Sequence, residues 1–147
     1  MAMRVKDVMT KNPVTVCDTD TIMTVAKQMA AHDIGDVLVC DQNGGLMGIV
    51  TDRDIVVRAM AQSKDPATTC IGDIATRDLE CLRPDDEITE AVDTMRDKAI
   101  RRIPVVDGKN PVGIVSLGDV AQARDAESCL GQISAAPPGH GGSEVKR

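Results

Sequence analysis

The hydrophobic positions of this chain change their spacing in the same order twice. In the first half, the run "PVTVC" at residues 13–17 predicts a short strand, and the apolar residues after it recur at the spacing of an amphipathic helix. These helical positions are Ile22, Val25, Ala26 and Met29, with Asp20 or Thr21 placed to cap the start. The segment "DVLVCDQNGGLMGIV" then predicts two strands joined by an Asn-Gly-Gly turn, and "TDRDIVVRAMA" returns to helical character.

The second half repeats this order. Its helical positions are Ile88, Ala91, Val92 and Met95, followed by a hairpin pattern in "RIPVVDGKNPVGIVS" and a last helix that begins in "LGDVAQAR". Ile22 returns 66 positions later as Ile88, whereas Thr51 returns 65 positions later as Ser116. One residue is therefore missing from the second turn, where a structural repeat tolerates a change of length. Each half predicts the order β-α-β-β-α, so the expected fold class is α+β.

The length of the chain sets how the halves are expected to fold. Each half has about 60 residues and buries too little surface to be comfortable alone, so we expect the two to share a core. We place repeat 1 at residues 3–62, a linker at 63–70, repeat 2 at 71–125 and a flexible tail rich in Gly, Pro and Ser at 126–147. Because the chain contains no Phe, Tyr or Trp, the core must be aliphatic, with Met filling gaps.

Charge and cysteine content disfavour several functions. The net charge of −6 argues against nucleic acids and anionic membranes as partners, since both require a basic surface. No apolar run is long enough for a signal peptide or a membrane span, which favours a cytoplasmic location. Five cysteines without a C-x-x-C pair, together with two histidines, are poor material for a metal site. Cys17 and Cys40 each end an apolar run, so a redox pair is an alternative to reduced, partly buried thiols.

The end of each predicted hairpin carries the most informative local motif. "GIVTDRD" begins at Gly48 and "GIVSLGD" at Gly113, and in each a hydroxyl residue is followed three positions later by Asp. This pattern resembles a capping box at the start of a helix. The same geometry suits a nucleotide, because a helix N-terminus attracts phosphate and an Asp accepts hydrogen bonds from both ribose hydroxyls. The two interpretations are compatible with each other.

One exchange of charge separates the two copies. Gly35 and Asp36 of repeat 1 correspond to Arg101 and Arg102 of repeat 2. Arginine makes bidentate contacts with phosphate, whereas Asp36 would repel it, so we expect two electrostatically unequal clefts. Arg53, whose counterpart is Gly118, adds a further candidate cation from repeat 1.

Taken together, these motifs resemble a tandem pair of cystathionine β-synthase (CBS) domains over residues 3–125. The resemblance rests on "DIGDVLV" and "GIVTDRDI" in repeat 1 and on "IRRIPVVD" and "VGIVSLGD" in repeat 2. It implies two small sheets packed face to face with pseudo-two-fold symmetry, leaving two clefts for adenosyl compounds such as AMP, ADP, ATP or S-adenosylmethionine. It also implies a homodimer. Asp36 and Gly118 depart from the basic pattern, which favours one occupied cleft in each chain.

The resemblance also assigns the candidate site residues. Asp54 and Asp119 would hold the ribose, and a second group would approach the phosphate: Thr51, Ser116, Arg101, Arg102 and Arg53. The base would lie among Val14, Thr15, Val16, Cys17, Val37, Glu80, Cys81, Leu82, Ile103 and Pro104. Without aromatic residues, adenine would be held by aliphatic side chains and peptide groups.

The function expected from these residues is ligand sensing. No nucleophile has an evident base and no pair of carboxylates suits acid–base catalysis, so we do not expect an enzyme, a required cofactor or a metal. We expect a regulatory module that binds an adenosyl ligand between the repeats and signals to an unidentified protein partner. A constitutive dimeric scaffold with vestigial clefts and a cysteine-based redox sensor are the alternatives. The sequence leaves the identity of the ligand open.

Overall fold

A computed structural model describes residues 3–124 of the chain; the predicted tail, Cys129 and His140 lie outside the described residues. The elements in chain order are helix α1 (Val5–Val8), strands β1 (Thr10–Lys11) and β2 (Thr15–Cys17), helix α2 (Ile22–His32), strands β3 (Asp36–Cys40) and β4 (Leu46–Thr51), helix α3 (Asp52–Asp54) with a π-helix (Ile55–Met60), a 3-10 helix (Ile71–Asp73), helix α4 (Ile88–Lys98), strands β5 (Arg102–Asp107) and β6 (Asn110–Ser116), and helix α5 (Leu117–Arg124).

The described strands form two three-stranded sheets, which confirms the α+β class. One sheet has the order β2-β3-β4, with β2 parallel to β3 and with β3 and β4 forming an antiparallel hairpin. The other has the order β1-β6-β5, in which the hairpin of repeat 2 is completed by a strand from the start of the chain. The expected first strand of repeat 2 is reduced to a single parallel bridge between Leu82 and Val105.

The two repeats exchange their leading segments, residues 3–11 and 69–77. Thr10 of the first segment pairs with Ile114 of repeat 2, and Thr76 of the second segment pairs with Ile49 of repeat 1. The backbone repeats this symmetry. The N–H of Val5 donates to the carbonyl of Asp86 at 2.8 Å, and the N–H of Ile71 donates to that of Asp20 at 2.7 Å. Each leading segment is therefore part of the opposite repeat.

This exchange divides the interior into two cores. The core of repeat 1 includes Ile71 and Ile74 from the second leading segment, and the core of repeat 2 includes Val5 from the first. The expected single shared core is thus replaced by two clusters, each completed by the other half. Alternation along the strands explains the division, since side chains at every second position face the helices of their own repeat. Leu38 and Pro104 are fully buried but belong to neither cluster.

Two glycines allow the leading segments to lie against the opposite hairpins. A Cβ on Gly48 would come within 2.9 Å of the carbonyl oxygen of Thr76, and a Cβ on Gly113 would come within 2.9 Å of that of Thr10. These are the first residues of the two "GIV" motifs. The side chain of Met9 would also obstruct a Cβ on Gly113, but the two carbonyl oxygens belong to the backbone and cannot move away as a flexible side chain would.

The start of α2 confirms one of the two caps predicted from the sequence, and the last helix of repeat 1 differs from a regular α-helix. Thr21 caps α2, where its hydroxyl accepts a hydrogen bond from the N–H of Thr24 at 3.1 Å. The segment "TDRDIVVRAMA" is one short α-helical turn that continues as a π-helix. Within it, the guanidinium of Arg58 donates to the carbonyl of Ile74 at 3.3 Å, which joins this helix to the second leading segment.

Replacing Gly48 with alanine tests the exchange. We expect Gly48→Ala to lower the free energy of unfolding by about 1–3 kcal/mol, because the added methyl group meets the backbone of Thr76. Urea unfolding followed by far-ultraviolet circular dichroism measures the loss, since the chain has no Trp or Tyr to report by fluorescence. The control is Gly118→Ala in α5, where the Cβ has room and helix propensity favours alanine by up to about 1 kcal/mol. Equal stability of Gly48→Ala and wild type would contradict the crossing described here.

Candidate ligand-binding site

Both hydroxyl-x-x-Asp motifs form complete capping boxes. In repeat 1 the hydroxyl of Thr51 accepts from the N–H of Asp54 at 3.1 Å, and Oδ2 of Asp54 accepts from the N–H of Thr51 at 2.9 Å. In repeat 2 the bonds between Ser116 and Asp119 have the same lengths, 3.1 and 2.9 Å. The motifs therefore start the helices that follow β4 and β6, as the capping interpretation predicts.

The second carboxylate oxygen distinguishes the two motifs. Oδ1 of Asp54 lies 3.7 Å from Nε of Arg58, one helical turn further on. The counterpart of Arg58 in repeat 2 is Ala123, and within residues 3–124 no ion pair or hydrogen bond engages Oδ1 of Asp119. Asp119 therefore keeps an oxygen that can accept a hydrogen bond from a ligand.

A cavity of ≈ 290 Å³ lies between the repeats. Ile49 lines it from β4 of repeat 1 and Thr76 from the second leading segment, which pairs with β4. The remaining residues come from repeat 2: Asp78, Leu79, Glu80, Lys98, Ile100, Arg102 and Pro104. Arg102 is the ladder partner of Ser116, so the cavity lies one strand away from the second capping box. Its lining combines apolar residues, which suit a flat ring, with four charged residues: Asp78, Glu80, Lys98 and Arg102.

A salt bridge connects this cavity to repeat 1. Nε of Arg102 pairs with Oδ2 of Asp36, the residue that occupies the corresponding position in repeat 1. The Asp36 side chain is 20% exposed and the Arg102 side chain 49%. The alignment of the two repeats assigned these charges to two electrostatically unequal clefts. The structure brings the two charges into contact with each other, because corresponding residues next to a two-fold axis lie close together.

The predicted base-binding residues are divided between the cavity and the cores. Glu80 and the fully buried Pro104 line the cavity, whereas Val37 and Ile103 belong to the two cores. Val16 and Leu82 are also core residues, and Val14 packs against the first core. Alternation along β5 gives the reason, since Ile103 faces its own helices while its neighbour Pro104 faces the other repeat. Thr15 and Cys81 are exposed and Cys17 is partly buried.

The remaining predicted cations lie outside this cavity. Arg101 is exposed and lines a separate surface depression with Leu117 at the start of α5. Arg53 is exposed on α3. Of the arginines proposed for phosphate binding, Arg102 is the one in the cavity lining.

Sequence reasoning missed Lys98 and Thr76 as cavity residues. Lys98 is the last residue of α4, where a cation is expected to stabilise the helix end rather than a ligand. Thr76 enters the cavity because the second leading segment crosses to β4. The sequence shows that Thr76 corresponds to Thr10, 66 positions earlier. It does not show that these two segments pair with the opposite repeats.

The thiols and possible metal ligands add little to the site. Cys17 and Cys40 are register partners on neighbouring strands, and both are free. Burial raises the pKa of the Cys40 thiol, which keeps it protonated and poorly reactive at neutral pH. The described part of the chain contains no cluster of three or more His, Cys, Asp or Glu suited to a metal ion. Between residues 3 and 124, no helix has the length and apolarity needed to cross a bilayer.

The family of the chain follows from its match to a known domain. The family model of the CBS domain matches residues 5–60 and again residues 71–126. The chain belongs to the CBS domain family. This confirms the resemblance noted in the sequence, and the two matches correspond to the two halves that exchange leading segments. It also makes the chain a CBS domain pair.

Similar proteins include other CBS-domain proteins. The CBS domain-containing protein YhcV of Bacillus subtilis (strain 168) is 40% identical over 117 residues, which cover 80% of this chain and 82% of YhcV. The CBS domain pair of protein MJ0100, in complex with 5′-methylthioadenosine and S-adenosyl-L-methionine, matches with a TM-score of 0.76 and 31% identity over 87% of this chain and 100% of that one. The hexameric CBS-CP12 protein from bloom-forming cyanobacteria matches with a TM-score of 0.72 and 27% identity over 84% and 72% of the two chains.

Timed alkylation tests the state of the thiols. At neutral pH, iodoacetamide is expected to modify Cys40 more slowly than Cys17 or Cys81, because the Cys40 side chain is the most buried of the three. Burial raises the pKa of both Cys40 and Cys81, so accessibility is what separates these two thiols. Mass spectrometry of the digested protein measures the three rates. If mild oxidation protected Cys17 and Cys40 together and joined them in one cross-linked peptide, the redox alternative would gain support instead.

Proposed function

We propose that this CBS pair is a regulatory module that binds one adenosyl ligand in the cavity between its repeats. The observation that carries the proposal is a cavity with residues from both repeats, located one strand from a capping box whose Asp119 keeps a free acceptor oxygen. A ligand at this place would contact Ile49 of repeat 1 and the loop and strand residues of repeat 2.

Each part of such a ligand has a suitable partner. Oδ1 of Asp119 would accept hydrogen bonds from the ribose hydroxyls, while Oδ2 remains bonded to the N–H of Ser116. Leu79 and Ile100, both partly exposed, offer apolar surface to the base. The charged residues that a group at the 5′ position could meet in the cavity are Lys98, Arg102, Asp78 and Glu80.

The signalling step would follow from the place of the cavity. A ligand that touches both repeats binds most tightly to the arrangement in which both lie against it, and so shifts the population toward that arrangement. The surface that a protein partner recognises would change with it. The MJ0100 pair, which binds 5′-methylthioadenosine and S-adenosyl-L-methionine, supports an adenosyl ligand for this chain as well.

A structural role for the motifs is the second candidate. Both capping boxes are complete without a ligand, as a constitutive scaffold with vestigial clefts requires. The redox alternative has less support, since burial raises the pKa of Cys40. Ligand binding therefore has to be measured apart from stability.

Matched substitutions in the two motifs separate binding from capping. We expect Asp119→Ala and Asp54→Ala each to lower the free energy of unfolding by about 1 kcal/mol, the typical value of a lost cap. Asp119→Ala alone is expected to weaken binding of AMP or S-adenosylmethionine by about tenfold or more, because its free oxygen is the proposed ribose acceptor. Isothermal titration calorimetry measures the affinities.

A spectrum of the purified protein offers an independent check. The chain lacks Tyr and Trp, so absorbance near 260 nm would come from a co-purified nucleotide rather than from the protein. Added adenosyl ligands must also raise the melting temperature if they bind the folded state alone. No shift with AMP, ATP or S-adenosylmethionine at millimolar concentration would favour the scaffold.

An apolar patch on repeat 1 supports self-association. The patch consists of Met23 on α2 with Val56, Val57 and Met60 on the π-helix, and the most exposed of them, Met60, is 67% exposed. An adjoining groove is lined mainly by aliphatic residues such as Ile55 and Ala59. We propose that a second copy of this chain covers the patch, since an uncharged surface of this kind can pair with itself about a two-fold axis. The similar CBS-CP12 protein from bloom-forming cyanobacteria is hexameric, which supports self-association of this chain.

Placing a charge in the patch tests this interface. Met60→Glu is expected to convert the dimer to a monomer, because association would bury an unpaired carboxylate. Sedimentation velocity with interference optics measures the species, as the chain absorbs weakly at 280 nm. The control is Gln28→Glu, which adds the same charge at an exposed position of α2 outside the patch. A Met60→Glu protein that still dimerises would place the interface elsewhere.

A further inference from the structure

The cavity depends for its charge on a residue that does not line it. Arg102 lines the cavity, and Asp36 binds Arg102 from repeat 1 without itself appearing in the lining. Asp36 is mostly buried beside its partner, so its carboxylate is poorly screened by water. Within the described residues it has no other ion pair, and its effect on the cavity passes through Arg102.

The charges around the cavity nearly cancel. Lys98 and Arg102 contribute positive charge, and Asp78 and Glu80 contribute negative charge. The carboxylate of Asp36 adds a third acid and engages Nε of Arg102. A phosphate chain would therefore meet one fully available cation, Lys98, in a region where acids outnumber bases.

We propose that Asp36 is a positioning residue that holds Arg102 in the salt bridge and thereby makes the cavity select adenosyl ligands with a neutral or cationic 5′ group over di- and triphosphates. The inference rests on the proposed binding function and names the ligand class within it. A free Arg102 would turn its guanidinium toward phosphate in a bidentate contact, whereas the paired Arg102 presents fewer donors.

The energetics favour this order of ligands. A polyphosphate must either leave the salt bridge intact and accept repulsion from three carboxylates, or remove Arg102 from Asp36 and leave that partly buried carboxylate unpaired. A sulfonium or an uncharged 5′ group needs neither change. Asp78 and Glu80 would attract a cationic group directly.

A series of ligands that differ in 5′ charge tests the proposal. Adenosine, S-adenosylmethionine, AMP, ADP and ATP are titrated into the wild-type protein and into Asp36→Asn, which keeps the shape of the side chain and removes its charge. The control is Asp33→Asn, which removes one exposed acid from the same repeat at a left-handed position (φ 53°) that asparagine adopts readily.

The expected result is a change of preference. Wild type and Asp33→Asn should bind adenosine and S-adenosylmethionine more tightly than ADP and ATP. In Asp36→Asn the ratio of ATP affinity to adenosine affinity should rise by about tenfold or more, the effect of removing one nearby charge in a poorly screened site. Adenosine itself should bind with nearly unchanged affinity, which a purely structural role of Asp36 would not predict.

Three results would overturn the inference, and they differ in what they imply for the binding function. If wild type binds ATP most tightly, or if Asp36→Asn weakens all ligands equally, the charge selectivity is wrong while adenosyl binding stands. If no ligand in the series binds either protein, the proposed function fails and the inference fails with it.

A probe without adenosine gives a second, independent readout. Inorganic tripolyphosphate carries the charge of ATP without its base or ribose. We expect it to raise the melting temperature of Asp36→Asn, followed by circular dichroism, more than that of wild type or of Asp33→Asn. Equal shifts in the three proteins would contradict the release of Arg102.

Discussion

The structure depends on the exchange of leading segments between the two repeats. Each half is too small to be comfortable alone, and Val5 and Ile71 each complete the core of the opposite half. Gly48 and Gly113 make the exchange possible, because any larger residue would collide with the crossing backbone. The cavity is a product of the same exchange, since the second leading segment brings Thr76 to its wall beside Ile49.

The capping boxes show how one motif can serve stability and binding together. The backbone of Ser116 occupies one oxygen of Asp119, which fixes the direction of the carboxylate before any ligand arrives. The other oxygen is then held in place for a ribose without further loss of side-chain freedom. In repeat 1 the corresponding oxygen of Asp54 lies near Arg58, so both oxygens of this carboxylate interact with groups of the chain itself.

The sequence predicted the helices and hairpins well, because the same local hydrophobic pattern occurs in both repeats. It predicted less well which distant segments pair with each other. Hydrophobic spacing located α2, α4 and both hairpins. It did not reveal that Val5 and Ile71 cross between the halves, since no local pattern encodes long-range pairing. The proposed base pocket contained Val37 and Ile103, which the alternation of the strands turns into the cores. Pro104, between two core positions, was the residue that faced the cavity.

The salt bridge between Asp36 and Arg102 depends on the sequence difference between the two repeats. Two identical units related by a two-fold axis would set Asp against Asp or Arg against Arg at this position, and like charges in contact repel. The two positions can hold different residues when the two units differ in sequence, as the two repeats of this chain do. The duplicated chain therefore places a complementary pair where a symmetric dimer of identical units would place like charges.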